Sequence, residues 1–454
     1  MKFSKDSSST VTVYSRQGSF QARAYHLTCS LCGNQYWQSY TEKKTADQLN
    51  HREYYKSAIN DRYFMTTRAT AFESQYVREI IVDCELGRSF EDVAERFNRL
   101  YASSGERGHI HKTRVEDAFF VHTLITHTND NISVHIDNVS NRPVFDDVCD
   151  SVIEDVFKSG SPWLKHKCET AGCSEGFIMC DGNEKLSRRI CAAPRQSYKF
   201  TKNMPSVVTR CGNSPVFGGA HKKPSKYCEN HLHLDSDEPL RKKILLTVNL
   251  PDQYVSTRIV DIASDLPSNE YTSMHIACKK AANITHYHDR TAGIMAIVRP
   301  CGIVIDWREM YTCESSSQLF VQLLKVMDEE GSNVKFVGYD RACEFAPFLR
   351  NLKKKGNVGA EKLLEAEYLV DKFHIKGHTT SSCNPYHPEC EFHPSLPKFS
   401  EISTVNTECA EQCFSWLKRF KNIVKYMTAS RFRFFLHVVI DAHNKNLEKK
   451  RSRN

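Results

Sequence analysis

Between residues 292 and 374 the chain alternates two periods, and that alternation restricts the fold more than any other feature of the sequence. AGIMAIV and GIVIDWREMY are apolar, strand-like runs joined by a tight turn at Pro300-Cys301-Gly302. SSSQLFVQLLKVMDEEG then has the 3.6-residue period of a helix, with serines to cap its start and Gly331 to stop it. VKFVGYD is a short buried strand ending at Asp340. ACEFAPFLRNL starts as a helix and meets Pro347, a kink or a break. AEYLVDKFH closes the series as another strand. Strands alternating with helices predict an α/β unit with a partly parallel sheet. One more apolar run, GFIMCD, lies upstream and ends on this reading at the carboxylate of Asp181.

Composition sets the frame for these elements. Of 454 residues 40% are apolar and 26% charged, enough apolar mass for real cores. That length predicts about three domains at ~150 residues each. The N-terminus has no apolar segment of a secretory leader, and no apolar run reaches the ~18 residues that span a bilayer, so no membrane partner is expected. The 18 cysteines are then expected as thiols or metal ligands in a reducing compartment. The net charge of +8 is mild, but LKRFKNIVKYMTASRFRFF concentrates basic and aromatic residues as a phosphate-backbone surface would. The sequence has no internal repeat.

Four regions follow. Residues 1–60 form an N-terminal cysteine-containing β module, with a hairpin turning at Gln17-Gly18 and then Cys29-x2-Cys32, half of a zinc site. Residues 61–160 read as a helical region with a role in DNA binding. SFEDVAERFNRLY places Phe90, Val93, Ala94, Phe97 and Leu100 on one face behind a Ser89 cap, and TRVEDAFFVHTLI opens with the capping-box pair Thr113 and Glu116. These two helices suit a helix-turn-helix or, more simply, a packing bundle. Residues 161–182 with 288–454 form the α/β core, and residues 183–287 a cysteine-rich insertion. Zinc needs four nitrogen or sulfur ligands, and six candidates stand close in sequence: Cys168, Cys173, Cys191, Cys211, Cys228 and His231. Which four bind is left open. His374, His378, Cys383 and Cys390 offer a second, weaker set alongside Cys29 and Cys32.

With the insertion removed, the order is strand, antiparallel strand pair, helix, strand, helix, strand, loop, helix. That is the order of an RNase H-like fold, interrupted here by a zinc-binding insertion that must leave the sheet. The fold puts carboxylates on the first strand, just after the fourth, and on a later helix. The matching residues are Asp181, Asp340, and Glu411 or Glu408 in NTECAEQCFSWLKRF, whose Cys409, Cys413, Trp416 and Phe420 read as core. Converging acids can hold two divalent metals, which stabilise the attacking and leaving oxygens of a phosphodiester. Asp306 and Asp371 are strand-end competitors.

Seven stretches in order resemble the Kyakuja-Dileera-Zisupton (KDZ) transposases with their associated cysteine-cluster domains: HLTCSLCGNQYW, GRSFEDVAERFN, CDGNEKL with RRICA, RTAGIMAIVRPCGIVI, YDRACEF, DKFHIKGHTTSSC and NTECAEQCFSWL. The resemblance implies DDE/D chemistry on DNA: cleavage of transposon ends and strand transfer, in the nucleus, with Mg²⁺ or Mn²⁺ as cofactor and Zn²⁺ as a structural ion. Asp181 matches the first acid, Asp340 the second and Glu411 the third, with Glu408 in reserve. All would act as metal ligands rather than proton-transfer groups. Transposition implies a homo-oligomer, although no heptad seam is visible. The alternative is a catalytically inactive, transposon-derived, zinc-stabilised DNA-binding protein. The chain is short for this group and is open to reading as a fragment, a decayed copy or a host protein that kept the fold.

Overall fold

In the computed structural model the described residues are 3–44, 50–101, 108–137, 140–193, 196–199, 206–209, 213–216, 225–235, 257–260, 274–276, 290–310, 314–329, 333–377 and 390–453. The chain divides into two compact units, Met1–Asp155 with Ser430–Ala442, and Val156–Ala429 with His443–Asn454. Among the described residues no helix is long and apolar enough to cross a membrane.

The first unit is built on a nine-stranded sheet drawn from both sides of residue 60, so the boundary expected there falls inside one unit. The hairpin pairs Phe3–Ser15 with Gly18–Cys29 and turns at Gly18, whose positive φ of 113° favours glycine. The region expected to be helical has strands too: Tyr63–Thr67, Thr70–Glu73, Ile132–Ile136 and Pro143–Val144 join the sheet around helices Ser74–Glu85, Phe90–Tyr101 and Lys112–Thr128. Helical periodicity was the stronger local signal, and it hid short strands, of which Thr70–Glu73 and Ile132–Ile136 also pair far away in sequence, with Phe3–Ser15 and Asn50–Tyr54. Ser89 caps its helix as expected, accepting from the Asp92 amide at 3.0 Å. Phe90 packs on Phe119 with ring centroids 5.4 Å apart, while Leu100, expected on that buried face, is exposed. The next helix starts earlier than expected. His111 caps it, accepting from the Thr113 amide, and Glu116 instead pairs with Arg142 and Arg431.

The second unit contains a five-stranded mixed sheet. Its strands are β1 (Phe177–Asn183), β2 (Gly293–Val298), β3 (Val304–Met310), β4 (Phe336–Tyr339) and β5 (Glu367–Leu369), in the spatial order β3-β2-β1-β4-β5. β1–β2 and β2–β3 are antiparallel, while β1–β4 and β4–β5 are parallel. The helices are α1 (Ser316–Asp328), α2 (Ala342–Lys354), α3 (Val358–Leu363), α4 (Cys409–Leu417) and α5 (Ala429–Arg451), of which α5 gives residues 430–442 to the first unit. Ser315 caps α1 through the Gln318 amide, and α2 continues through Pro347. All six residues of β2 are buried, as are Leu319, Phe320 and Leu323 of α1 and Phe345 and Leu349 of α2. Covering the sheet this way is what near-continuous apolar strands require. Each fully buried Leu or Phe side chain contributes about 1.5–3 kcal/mol.

Two observations bear on the insertion. Arg189 and Arg290 form an isolated antiparallel bridge, and Thr291 donates its amide to the Arg188 carbonyl at 3.0 Å, so the chain leaves and re-enters β1 and β2 side by side. A separate four-stranded sheet lies between these stems, in the order Gln196–Lys199, Ser206–Thr209, Thr257–Val260, Met274–Ile276. The buried ion pair of Arg188 and Glu309, 2.6 Å apart, braces the exit.

Candidate metal and catalytic site

The parallel register of β1 and β4 assembles the site. Cys180 stands opposite Tyr339, so the next residues, Asp181 and Asp340, emerge side by side from adjacent strands. β1 does not end at Asp181, as expected, but runs on to Asn183 because Gly182 and Asn183 pair with Met295 and Ile294 of β2. A third carboxylate arrives from the residue just before the Ser315 cap. Asp181, Glu314 and Asp340 each offer an oxygen within 4.8 Å of the other two. Sequence reasoning missed Glu314. Its signal was a carboxylate between the end of β3 and the serine cap of α1, a position that the fold brings beside Asp181 and Asp340.

Tyr339 donates its hydroxyl to Glu314 Oε1 at 2.7 Å, and the Gly182 amide donates to Asp181 Oδ1 at 2.7 Å. Burial first, then the charges of Glu314, Asp340 and Glu411, push the Asp181 carboxyl well above its usual range. Burial also raises Asp340, opposed by His374 and Arg341. Asp340 Oδ1 is buried and accepts no hydrogen bond among the described residues.

Glu411 lies in the first turn of α4 but outside this cluster. Its exposed carboxylate is 3.7 Å from His374 Nε2 and acts on Asp181 through its charge. Glu408 is the exposed residue preceding α4 and joins no acid cluster among the described residues. Both competitors have structural partners. Asp306 pairs with Arg308 at 3.2 Å and accepts from Gln322 at 2.8 Å. Asp371 accepts the Phe373 and His374 amides and holds His374 Nδ1 at 2.6 Å. Burial pulls the His374 imidazole down, but Asp371, Asp340 and Glu411 outweigh it, so its pKa is raised. The core expected behind α4 is there: Cys409, Cys413 and Phe420 are buried, and Trp416 stacks on His443 at 4.1 Å.

The described zinc candidates do not converge on one point. Cys191, Cys228 and His231 come together, with His231 Nδ1 3.5 Å from Cys191 Sγ and 3.2 Å from Cys228 Sγ. Tetrahedral zinc would separate such a sulfur and nitrogen by about 3.5 Å. Cys211 falls outside the described residues, although Asn213, two positions on, accepts the Cys191 amide at 2.8 Å. Cys168 and Cys173 lie elsewhere, beside Cys301. Of the weaker set, Cys29 is buried and Cys32 exposed, and they gain no third ligand among the described residues. His378 and Cys383 lie outside the described residues, while Cys390 is buried in the core of the second unit.

The basic C-terminal stretch divides in two. Lys418, Arg419 and Lys421 are exposed, whereas Arg431 pairs with Glu116 and Asp146, and Arg433 with Asp150.

The fold and its sites define a cysteine-rich α/β protein with a partly buried carboxylate cluster beside two interior strands of its sheet and thiol-imidazole groups able to hold a metal such as zinc. The sequence profile of the Kyakuja-Dileera-Zisupton transposase family matches residues 174–444, more than half of the chain, and the chain belongs to that family. No curated protein and no solved structure matches it.

Proposed function

We propose that the chain is a metal-dependent DNA nuclease and strand transferase of the DDE/D type, on an RNase H-like core, acting in the nucleus. The convergence of Asp181, Glu314 and Asp340 is the observation that carries this reading. The strand order β3-β2-β1-β4-β5, antiparallel on one side of β1 and parallel on the other, supports the fold, and family membership supports DNA as the substrate.

The site suits hard divalent cations. Its donors are carboxylate oxygens, three acids repel one another without a cation, and Asp340 Oδ1 is buried and unpaired among the described residues. Bound Mg²⁺ or Mn²⁺ would stabilise the attacking and leaving oxygens of a phosphodiester. Asp181 and Asp340 hold the centre from rigid strands, and the Tyr339 hydroxyl fixes Glu314. Glu411 approaches from α4, where His374, oriented by Asp371, sets its carboxylate. The nucleophile is water for cleavage and a DNA 3′-hydroxyl for transfer. Lys418, Arg419 and Lys421 follow α4 directly and offer charge to the DNA backbone. Zinc held by Cys191, Cys228 and His231 stiffens the insertion. Transfer of paired ends implies that the chain works as a multimer.

The test is nicking of plasmid and transposon-end DNA by the purified chain with Mn²⁺. Nicking by the wild type that Asp181→Asn and Asp340→Asn abolish supports the reading. Nicking that survives both substitutions contradicts it.

A further inference from the structure

The hairpin turn between β2 and β3 holds a thiol where the sequence suggested only a tight turn. Cys301 sits in that turn, closed by the Gly302 amide donating to the Arg299 carbonyl at 2.7 Å. The segment leading into β1 makes a second turn, closed by the Cys173 amide donating to the Thr170 carbonyl at 2.9 Å. The two turns are in contact. Gly172 has φ of +89°, and a Cβ there would lie 2.9 Å from Pro300 Cγ and 2.7 Å from Val405. That contact groups side chains separated by well over a hundred residues. His166, Cys168 and Cys301 each offer a ligand atom within 4.8 Å of the others, and Cys173, outside that mutual set, neighbours Cys301 and Cys168.

We propose that His166, Cys168, Cys173 and Cys301 form a structural zinc site, distinct from the Cys191–Cys228–His231 cluster, that clamps the entry to β1 onto the β2–β3 turn. Two further observations point to a bound cation. The His166 side chain is 6% exposed. Its Nδ1 faces Glu448 at 3.7 Å, while its Nε2 is buried without a hydrogen-bond partner among the described residues. A carboxylate on one ring nitrogen and a metal on the other is the usual arrangement of a zinc-bound imidazole. Arg299 is also buried, 3% exposed, with Nε and Nη1 unpartnered among the described residues, and it lies near Cys173, Cys301 and Cys168. A buried guanidinium needs negative charge nearby. Three thiolates around Zn²⁺ leave one excess negative charge to supply it, and Arg451, which donates to the Cys301 carbonyl, adds a second cation at the rim. Binding releases the three thiol protons to solvent.

Neither this site nor its test depends on catalysis. The full chain is purified under reducing conditions and its zinc is quantified. Cys301→Ser and His166→Ala should each remove one zinc per chain, and Cys228→Ser should remove a different one, so that Cys301→Ser with Cys228→Ser loses both. X-ray absorption on the Cys228→Ser chain should give three sulfurs at about 2.3 Å and one nitrogen at about 2.0 Å. Because a variant could fail to fold, the wild type is also footprinted by alkylation. Cys168, Cys173 and Cys301 should resist together and become reactive together when a chelator is added. Unchanged zinc content in a folded Cys301→Ser chain, or alkylation indifferent to chelator, would each overturn the site.

Discussion

Glu314 can reach the acid cluster because residue 182 has no side chain: a Cβ on Gly182 would collide with the Glu314 carboxylate. Gly182→Ala should therefore leave the sheet folded, since the obstructed group is the end of a flexible side chain, and should push Glu314 outward. Mn²⁺ affinity, measured by calorimetry, should fall by about 10-fold or more, the scale of disturbing a metal's supporting shell. Tyr339→Phe, which removes the hydroxyl at 2.7 Å from Glu314, should act in the same direction more weakly.

Asp181 should trade stability for function. Its carboxyl titrates well above the ordinary range because of burial and neighbouring acids. The folded chain therefore holds this proton at pH values where the unfolded chain has released it, and the site's contribution to stability falls as pH rises from the ordinary carboxylate range through the raised value. Without metal, Asp181→Asn should melt higher than wild type at neutral pH. With Mn²⁺ only the wild type should gain stability, and its Mn²⁺ affinity should strengthen with rising pH as the proton leaves.

His374 is stabilising where Asp181 is not. Its imidazole is raised mainly by Asp371, so the stabilisation is fully present below the ordinary histidine range and is lost as pH rises through the higher folded value. Asp371→Asn keeps an oxygen for the Phe373 and His374 amides but removes the charge. An NMR titration should show His374 moving to lower pH in that variant, with the stability difference from wild type shrinking above the wild-type midpoint.

Removing zinc should loosen the insertion more than the five-stranded sheet. Chelator, or Cys228→Ser, should make the described segment 225–235, which carries Cys228 and His231, sensitive to limited proteolysis. Buried residues of β2 should keep their protection against hydrogen exchange.

The exposed cations after α4 should set the salt dependence of DNA binding. Replacing Lys418, Arg419 and Lys421 with glutamine should reduce the slope of log K against log salt by about 0.9 for each DNA phosphate that the variant no longer neutralises. Arg431 and Arg433 are held by Glu116, Asp146 and Asp150, so their replacement should change stability more than the slope.

Much of the second unit was legible because its elements are strongly periodic: the strand pair about Pro300-Cys301-Gly302, the Ser315-capped α1 and the strand before Asp340 all lie where the sequence placed them. Asp181 and Asp340 could be chosen because both follow apolar runs that a parallel register sets level. Glu314 could not, because its role depends on the chain turning back from β3 to the mouth of β1, and no local pattern encodes that. The grouping of the thiols was hidden for a similar reason. Sequence proximity left open which residues from Cys168 to His231 stand together; Cys191, Cys228 and His231 do, whereas Cys168 and Cys173 lie beside Cys301, across a contact made only in the folded sheet. In the first unit, strands such as Thr70–Glu73 and Ile132–Ile136 are too short to outcompete the helical periodicity flanking them, and they become visible only through their partners.

The most direct test of the account is anomalous scattering from crystals of the full chain soaked in Mn²⁺. Manganese bound among the Asp181, Glu314 and Asp340 carboxylates, and absent from Asp181→Asn, is the predicted result. A cluster that stays metal-free at saturating Mn²⁺, with its acids held in protonated pairs, would contradict metal-dependent catalysis and leave a zinc-stabilised DNA-binding descendant of a transposase as the better account.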